Sequence, residues 1–439
     1  MASRLCTQRQ FFALKTINNI FSHVDWLLLV LYALLIACGW FNIYAVSYEP
    51  AFSQGLFDLS SNAGKQFLWI TTTLLLFFIA FFFEARFYES LAPVFYVVAI
   101  LLLLGTLVWG VSVGGHRAWL PWGGQPSELA KLACALVVAR YVDGPHIQLT
   151  RLKPQLILLG LILLPVVIIL LQGDVGSSLV FGAFVFVFYR EGLSPWLLLV
   201  GVFVIMIFIL TLLVPRIYLI IGTIGLSLIL IGSAIRTWKN VMLVVLMTLG
   251  TLVMIEGFHL FVERGLKPHQ QSRIRALVDP NIDPLGIGWN VTQAKIAIGS
   301  GGLWGKGFLQ GSQTKYGFVP EQSTDFIFCT IGEEHGWIGA LLVISIFLGL
   351  ISRILYIAER QRLRFARVNG YAVASILFFH FMINIGMTIG LMPVIGIPLP
   401  FISYGGSSLW SFSLMLFILL KFDAERKNYH SRPGGELLV

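Results

Sequence analysis

The stretch LILLGLILLPVVIILL, residues 156–171, contains no charged side chain, and the stretch WLLLVLYALLIAC, residues 26–38, has the same character. A helix that crosses the hydrocarbon core of a bilayer needs about 20 mostly apolar residues, fewer where polar groups face other helices. Blocks of this kind recur along the whole chain. We therefore interpret the chain as a membrane protein that crosses the bilayer many times.

The composition supports the same class. Of the 439 residues, 57% are hydrophobic and 12% are charged, and the mean hydropathy is +0.85. A soluble domain carries roughly 25% charged residues, so this chain cannot cover the surface of a soluble globule. The four cysteines have neither metal-ligand nor redox spacing, which argues against a zinc site and a disulfide scaffold.

The apolar blocks predict about twelve spans, with an uncertainty of about two because short blocks can fuse or re-enter. They centre on 26–47, 66–83, 91–112, 127–142, 155–171, 176–190, 196–214, 217–236, 240–262, 326–355, 370–391 and 405–421. The blocks lack the alternation of barrel strands, so the predicted fold class is all-α. We expect a single integral membrane domain over residues 1–439.

The basic residues predict the orientation. The formal net charge is +9, and in a membrane protein such an excess indicates basic cytoplasmic loops rather than nucleic-acid binding. With an even number of spans, the basic clusters share one face with the N-terminus, and they are Arg140, Arg151 and Lys153; Arg236 and Lys239; Arg353, Arg360, Arg362, Arg364 and Arg367; and Lys421, Arg426 and Lys427. The tail 422–439 is then cytoplasmic, and 263–325 forms a large extracytoplasmic loop.

Four polar segments are predicted on the outer face. The loop 263–325 has about 60 residues without a span, and loops of that length are usually functional. The other three segments are 113–128, 172–176 and 392–408. Their common side predicts one site at the outer membrane surface.

Asp325 is the main candidate for chemistry. It follows Ser323 and Thr324, either of which can cap the next span, so we expect Asp325 in the first helical turn. One interpretation is that it complements the helix macrodipole. The other is a catalytic carboxylate in an outer cleft, acting as a base or as a metal ligand, with Glu321 on the same helix face.

Further acids lie within spans. Ser127 is a candidate N-cap, and Glu128 and Lys131 share one face of the span that follows. They form either a buried packing pair or a site facing the outer cleft. Glu333, Glu334 and His335 either pair with arginines of neighbouring helices or line the cavity, and pairing is favoured for at least one of them.

Two glycine-containing segments and one aspartate complete the candidates. Residues 297–307 form neither a Walker loop nor a dinucleotide fingerprint, and a tight turn is favoured over an anion nest that would work with Arg273, Arg275, Lys295 and Lys306. The prolines and glycines of 393–408 predict a fixed non-helical path that lines a cavity or forms a rigid hairpin. Asp174 is predicted to be an N-cap near the outer face.

Together these motifs resemble the SEDS family (shape, elongation, division and sporulation), and the RodA branch above all. The resemblance covers most of the chain, and it is carried by residues 125–131, 270–273, 278–288, 293, 296–302, 320–328, 384–387 and 393–408. It implies a SEDS-like helical bundle of about 10–12 transmembrane helices. Because the family has ten spans, region 196–262 is expected to contain an additional helix pair.

The resemblance implies a peptidoglycan glycosyltransferase of the bacterial inner membrane. Such enzymes polymerise lipid II outside the membrane during elongation and shape maintenance. The partners implied are a class B penicillin-binding protein and other membrane proteins of the elongation machinery.

The resemblance also assigns site residues. The essential aspartate of the family falls on Asp325. Trp119, Glu128 and Lys131 match the outer-loop signature, and Arg273 matches a loop arginine. The predicted substrate-binding residues are Trp119, Glu128, Lys131, Arg273, Lys295, Lys306, Glu321 and Ser403. Ser323 departs from the family, which commonly has histidine there, and Gly173 replaces a usual proline.

The chemistry fits these assignments. Undecaprenyl pyrophosphate is a good leaving group, and a base must take the proton from the attacking sugar hydroxyl. Asp325 is predicted to be that base, or the ligand of a divalent cation such as Mg²⁺ or Mn²⁺. Arg273, Lys295 and Lys306 are candidates to hold pyrophosphate. The alternatives are a flippase or transporter of lipid-linked precursors and a non-catalytic scaffold of the elongation machinery.

Overall fold

The fold is almost entirely helical in the computed structural model, which describes residues 24–48, 55–113, 116–121, 123–233, 237–265, 271 and 287–426. The helices are α1 (Trp26–Ser47), α2 (Asn62–Phe82), α3 (Ala85–Trp109), α4 (Pro126–Val142), α5 (Leu152–Leu171), α6 (Val175–Val180), α7 (Phe184–Arg190), α8 (Pro195–Leu213), α9 (Arg216–Ser233), α10 (Trp238–Leu260), α11 (Ile287–Gly301), α12 (Ser312–Lys315), α13 (Ile327–Glu359), α14 (Arg364–Thr388) and α15 (Gly406–Glu425). A 3-10 turn at Phe181–Ala183 joins α6 to α7, and a π-helical turn at Phe261–Gly265 follows α10.

Every predicted span corresponds to helical structure. Within the described part of the chain, nine helices are long and apolar enough to cross a membrane. The predicted spans at 127–142, 176–190 and 217–236 correspond to shorter helical segments. The chain is therefore an all-α, multi-pass membrane protein, as the apolar blocks predict.

Capping residues begin several helices. Asp25, Ser61 and Asp174 accept hydrogen bonds from the backbone N–H three residues ahead, at 3.1, 3.1 and 2.9 Å. The prediction that Asp174 is an N-cap is thus confirmed. The predicted cap at Ser127 is wrong, because α4 begins one residue earlier at Pro126, which occupies the first helical position. Proline is favoured there because its φ is already helical and its missing N–H is not needed.

A short hairpin interrupts the helical pattern. Strand β1 (Val111–Val113) pairs antiparallel with β2 (His116–Trp119), and Val111 lies opposite Trp119. The N–H of Arg117 donates to the carbonyl of Gln172 at 3.1 Å, which fastens the hairpin to the end of α5. Its sequence signal is a Gly-Gly pair between two short runs, which is typical of hairpins.

The chain divides into two compact units. The first comprises Met1–Gly192, Ile296–Ile385 and Gly396–Val439, and the second comprises Leu193–Lys295 and Gly386–Ile395. In the first unit α1 packs on α13, α2 on α15, and α3 on α4. In the second unit α10 packs against both α8 and α9, and most side chains of these helices are exposed. Region 196–262 therefore contains three helices. That two of them are additional to the ten spans of the family stays a prediction.

Ion pairs join the basic clusters at one end of the first unit. Asp25 pairs with Arg353 at 2.8 Å and with Arg360 at 2.9 Å, and Arg360 also pairs with Asp423. Arg140 binds Glu89, Arg190 binds Glu359, and Arg364 binds Glu191. These contacts place the start of α1 beside the ends of α13 and α15, so Arg353 and Arg360 lie at one end of this unit. The common face of all the basic clusters stays a prediction.

The polar segments of the first unit meet at another end of its helices. The side chain of Gln125 donates to Asp174 at 2.8 Å, and its backbone N–H donates to Ser407 Oγ at 3.2 Å. Ser403 in turn donates to the carbonyl of Thr324. Residues from all four predicted polar segments are thereby linked in one region.

Candidate functional site

Asp325 lies in a turn that precedes α13. The carbonyl of Glu321 accepts hydrogen bonds from the N–H groups of Thr324, Asp325 and Phe326, at 3.3, 3.1 and 3.3 Å. Glu321 itself has a φ of 50°. The helix begins only at Ile327, with Phe326 as N-cap and no capping side chain. The prediction that Ser323 or Thr324 caps the helix and that Asp325 lies in its first turn is therefore wrong, because the Glu321 turn delays the start of the helix.

Three consecutive carbonyls fix the backbone at Asp325. The carbonyl of Ser323 accepts from Tyr404 N at 2.9 Å. The carbonyl of Thr324 accepts from Ser403 Oγ at 2.5 Å, and that of Asp325 accepts from Asn384 Nδ2 at 2.8 Å. The donors come from α14 and from the segment before α15. The Asp325 turn is therefore held from outside its own helix.

The segment 396–405 has the fixed non-helical path that its prolines and glycines predict. Ser403 Oγ accepts from Leu399 N at 2.8 Å. Phe401 has a φ of 68°, a left-handed conformation that is uncommon for a bulky residue. Gly396 has a φ of 76°, and a Cβ atom placed on it would lie 3.1 Å from Asp325 Oδ2. The backbone at Gly396 therefore borders the Asp325 carboxylate, whose side chain is partly exposed.

Glu128 and Lys131 form a buried ion pair. Lys131 Nζ lies 2.7 Å from Glu128 Oε1, and the two side chains are 0% and 2% exposed. Lys131 Nζ also lies 2.9 Å from His380 Nε2. Instead of an open acid facing the outer cleft, the structure has the packing pair, so the substrate-binding roles predicted for Glu128 and Lys131 lack a direct route to a ligand.

His380 lies at this site and is not among the candidates that the sequence motifs indicate. Its Nδ1 lies 3.1 Å from the carbonyl of Pro398, and it is 1% exposed. Asn384, one helical turn later on α14, binds the carbonyls of both Asp325 and Ile397. The available signal was the spacing of two polar side chains four residues apart in an apolar helix.

Lys306 belongs to a structural cluster. Its Nζ lies 2.7 Å from Glu333 Oε1 and 2.8 Å from Ser312 Oγ. Glu333 also accepts from the backbone N–H groups of Gln313 and Thr314 at 2.8 and 2.9 Å. Glu333 is thus paired, but its partner is a lysine of the segment before α12 and not the predicted arginine of a neighbouring helix. The Lys306 ammonium binds this buried acid instead of being open for pyrophosphate.

The glycine-rich segment 297–307 packs against a kink in α13. Gly336 has a φ of 65° within α13, and the carbonyls of Glu333 and Glu334 accept from Lys306 N and Gly307 N, both at 3.0 Å. A Cβ atom on Gly336 would lie 2.3 Å from Gly305 N. Because these N–H groups bind protein carbonyls, the structure favours the tight turn over an anion nest.

Of the remaining predicted residues, Glu321 and Ser403 lie at the Asp325 turn. Trp119 is half-buried on β2, Ser403 is buried beside the Asp325 turn, and Glu321 is exposed, with Oε2 accepting from Thr324 Oγ1 at 3.2 Å. Lys295 is exposed on α11 in the second unit. Its side chain lies close to Gly390, because a Cβ atom placed on that glycine would be 2.4 Å from Lys295 Nζ. Arg273 lies outside the described residues.

The donor set at Asp325 limits the cation chemistry. In the described ranges, no group of three or more His, Cys, Asp and Glu side chains could hold a metal ion. A dedicated protein cage for a cation is therefore not built from these residues. Mg²⁺ is nevertheless commonly bound by one carboxylate together with substrate phosphates. Asp325 fits this mode of cation binding and not a site built from protein ligands only.

The chain is similar in sequence to proteins of known family. The chain matches the FtsW, RodA and SpoVE family, described as cell cycle proteins, over residues 25–223 and 217–428. It is 35% identical over 346 residues to the peptidoglycan glycosyltransferase MrdB of Escherichia coli K12, covering 78% of this chain and 80% of that protein. It is 30% identical over 432 residues to the peptidoglycan glycosyltransferase RodA of Treponema pallidum, covering 92% and 98%.

Two solved structures are similar in fold. One comes from work titled "Structural coordination of polymerization and crosslinking by a peptidoglycan synthase complex", with a TM-score of 0.67 and 28% identity over 92% of this chain and 98% of that one. The crystal structure of RodA from Thermus thermophilus gives a TM-score of 0.59 at 24% identity, over 92% and 97% of the two chains. The second likeness concerns the fold alone.

Proposed function

The chain belongs to the FtsW, RodA and SpoVE family of cell cycle proteins and is a peptidoglycan glycosyltransferase, and from this premise we propose that Asp325 is the base of its reaction. The substrate is lipid II, a disaccharide peptide carried on undecaprenyl pyrophosphate. The product is a β-1,4-linked glycan strand made during elongation and shape maintenance.

The observation that carries the proposal is the fixation of the Asp325 turn. Three consecutive carbonyls are bound by Tyr404, Ser403 and Asn384, while the Asp325 side chain remains partly exposed. Catalytic groups that are held in place before substrate arrives avoid the cost of reorganisation during the reaction. A carboxylate with only a structural task would not need three consecutive carbonyls of its turn bound by other segments.

The proposed step balances as an inverting displacement. The hydroxyl of the acceptor sugar attacks the anomeric carbon of the donor, and its proton passes to the Asp325 carboxylate. The new glycosidic C–O bond forms as the bond to pyrophosphate breaks, and undecaprenyl pyrophosphate leaves. Lys295, exposed on α11, and Arg273 are the remaining candidates to bind the leaving anion, because Lys306 is paired with Glu333.

The test compares purified native protein with Asp325→Asn on fluorescent lipid II, with and without the partner transpeptidase. We expect the variant to lose at least about 100-fold in polymerisation rate, the size typical for removal of a general base. Asp58→Asn is the matched control, since Asp58 is an exposed acid whose carboxylate accepts a local N–H bond from Ser60 at 2.9 Å. Polymer formation by Asp325→Asn at the native rate would exclude the base and favour a scaffold.

A divalent cation, Mg²⁺ or Mn²⁺, is proposed as a companion of the substrate rather than a resident of the protein. When bound, it would neutralise the pyrophosphate charge. Asp325 is the residue that would hold it together with the phosphates. Chelation by EDTA should then slow polymerisation by native protein, and added Mg²⁺ should restore it; full activity in EDTA would exclude the cation.

We also propose a class B penicillin-binding protein as partner, together with other membrane proteins of the elongation machinery. The support is the synthase complex named for a structural neighbour. The Asp325 end would face the periplasm of a bacterial inner membrane. A membrane-impermeant maleimide on intact spheroplasts should label Gln310→Cys and should not label Arg362→Cys, both of which are at exposed positions. The reverse labelling pattern would show that the protein has the opposite orientation in the membrane.

A further inference from the structure

His380 lies between a buried charge and the segment that borders Asp325. On one side, Lys131 Nζ is 2.9 Å from its Nε2. On the other side, the carbonyl of Pro398 is 3.1 Å from its Nδ1. Its ring packs edge-on against Phe412, with centroids 4.9 Å apart and planes at 80°, which fixes the ring plane.

The hydrogen-bond partners decide the protonation of this ring. A lysine ammonium has only donors and a carbonyl oxygen only accepts. Lys131 Nζ forms an ion pair with Glu128 Oε1, 2.7 Å away. Nε2 of His380 must then accept from Lys131, and Nδ1 must carry the proton that is donated to Pro398. An imidazolium would place an N–H against an ammonium, so the arrangement requires neutral imidazole.

The bond to Pro398 bears on the position of Asp325. Pro398 follows Ile397, whose carbonyl is bound by Asn384 Nδ2 at 2.7 Å, and the same amide binds the carbonyl of Asp325. Five residues after Pro398, Ser403 binds the carbonyl of Thr324. The segment between them contains Phe401 in a left-handed conformation, and such strained backbone persists only where its surroundings hold it.

We propose that His380 is a positioning residue, held as the neutral Nδ1–H tautomer between Lys131 and Pro398, which fixes segment 396–405 against the Asp325 turn. The proposal rests on the proposed role of Asp325 as base. It assigns the buried Glu128–Lys131 pair a task as well: the pair orients the histidine, and the histidine orients the segment.

Two substitutions distinguish a positioning role of His380 from a role limited to accepting the hydrogen bond of buried Lys131. The amide of asparagine reaches about as far as histidine Nδ1, so His380→Asn can still donate to Pro398 while it loses the contact to Lys131. The amide of glutamine reaches about as far as Nε2, so His380→Gln can still meet Lys131 while it loses the donor to Pro398. The two variants therefore each keep one side of the bridge.

We expect His380→Gln to lower kcat about tenfold or more, because misplacement of a catalytic group by about 1 Å costs up to 100-fold. His380→Asn, which keeps the donor to Pro398, should lower kcat clearly less than His380→Gln does. KM for lipid II should change little in both, since neither variant removes a group that touches substrate. A native kcat for His380→Gln, or an equal loss in His380→Asn, would overturn the proposal.

The tautomer is measured separately in native protein labelled with ¹⁵N and ¹³C histidine. The His380 signal, assigned by elimination with variants of the other histidines, should have the shifts of Nδ1–H imidazole. Shifts of the Nε2–H tautomer or of imidazolium would refute the proposal even where a variant does not fold. This measurement needs no turnover, so its result does not depend on the activity of Asp325→Asn. Native activity of Asp325→Asn would refute the role of Asp325 as base, but it would not change the tautomer of His380.

Discussion

At the scale of single residues, this protein uses polar side chains as clamps on distant backbone. Asn384 is fully buried and bridges two carbonyls, those of Asp325 and Ile397, at 2.8 and 2.7 Å. Asn42 is similarly buried, but its amide nitrogen donates to the carbonyl and to the Sγ atom of Cys38 within its own helix, at 2.8 and 3.6 Å. The two asparagines are equally buried but have different structural roles, because Asn384 joins separate segments and Asn42 binds within its own helix.

Replacement of these two residues should have unequal effects. Asn384→Leu removes the donor to two carbonyls outside regular structure, and each buried group left without a partner costs about 1–3 kcal/mol. We expect a loss of stability of about 2 kcal/mol or more, together with slower polymerisation. Asn42→Leu should stay near native, since a helical carbonyl already has its backbone donor. Thermal unfolding in detergent measures both, and equal melting temperatures for the two variants would contradict the clamp.

At the scale of elements, α13 is shaped by the glycine-rich segment before it. Around Gly336 the helix turns out of register, and the carbonyls of Glu333 and Glu334 bind the N–H groups of Lys306 and Gly307. In return, the N–H groups of Trp337 and Ile338 donate to the carbonyls of Gly302 and Leu303, at 2.9 and 3.2 Å. The two segments thus exchange four backbone hydrogen bonds at the kink.

This exchange leaves no room for a side chain at Gly336. Gly336→Ala would put a Cβ atom 2.3 Å from Gly305 N at a φ of 65°, and we expect a loss of more than about 2 kcal/mol. Gly349→Ala is the control on the same helix, where the nearest atoms are Leu31 carbons at 3.9 Å. It should be neutral or stabilise by about 0.5–1 kcal/mol. Similar unfolding temperatures for the two variants would show that the kink is dispensable.

At the scale of the whole molecule, the first unit is closed at one end by ion pairs between helices far apart in sequence. Asp25 binds Arg353 and Arg360, and Arg360 reaches Asp423. Burial acts to raise the pKa of Asp25, but Arg353, the N–H of Leu28 and the charge of Arg360 outweigh it and lower the pKa below its ordinary value of 3.8. The carboxylate is therefore stabilised in its charged form when the protein is folded.

The sign of the pH dependence follows from this lowered pKa. Above pH 3.8 the Asp25 carboxylate is charged whether the chain is folded or unfolded, and its stabilisation is complete. As the pH falls below that value, the unfolded chain takes up the proton first and the stabilisation declines until the folded carboxyl is protonated too. Asp25→Asn should cost roughly 2–3 kcal/mol at neutral pH, less than the loss for a fully buried pair because the arginines are part-exposed.

Thermal unfolding of native protein and Asp25→Asn across pH tests this network. The difference between their melting temperatures should be largest at neutral pH and shrink below pH 3.8. A difference that stays constant across that range would mean that the carboxylate charge contributes nothing to stability.

The sequence by itself determined the membrane class, the approximate positions of the apolar helices and the family, because apolar blocks and motif spacing are local properties. It also singled out Asp325 and the four polar segments that meet near it. Only the tertiary structure decided that Lys306 pairs with Glu333 and that Lys131 meets His380, 249 residues away in the chain. The physical reason is that a partner, and the burial that makes it matter, depends on contacts between distant segments that no local pattern encodes.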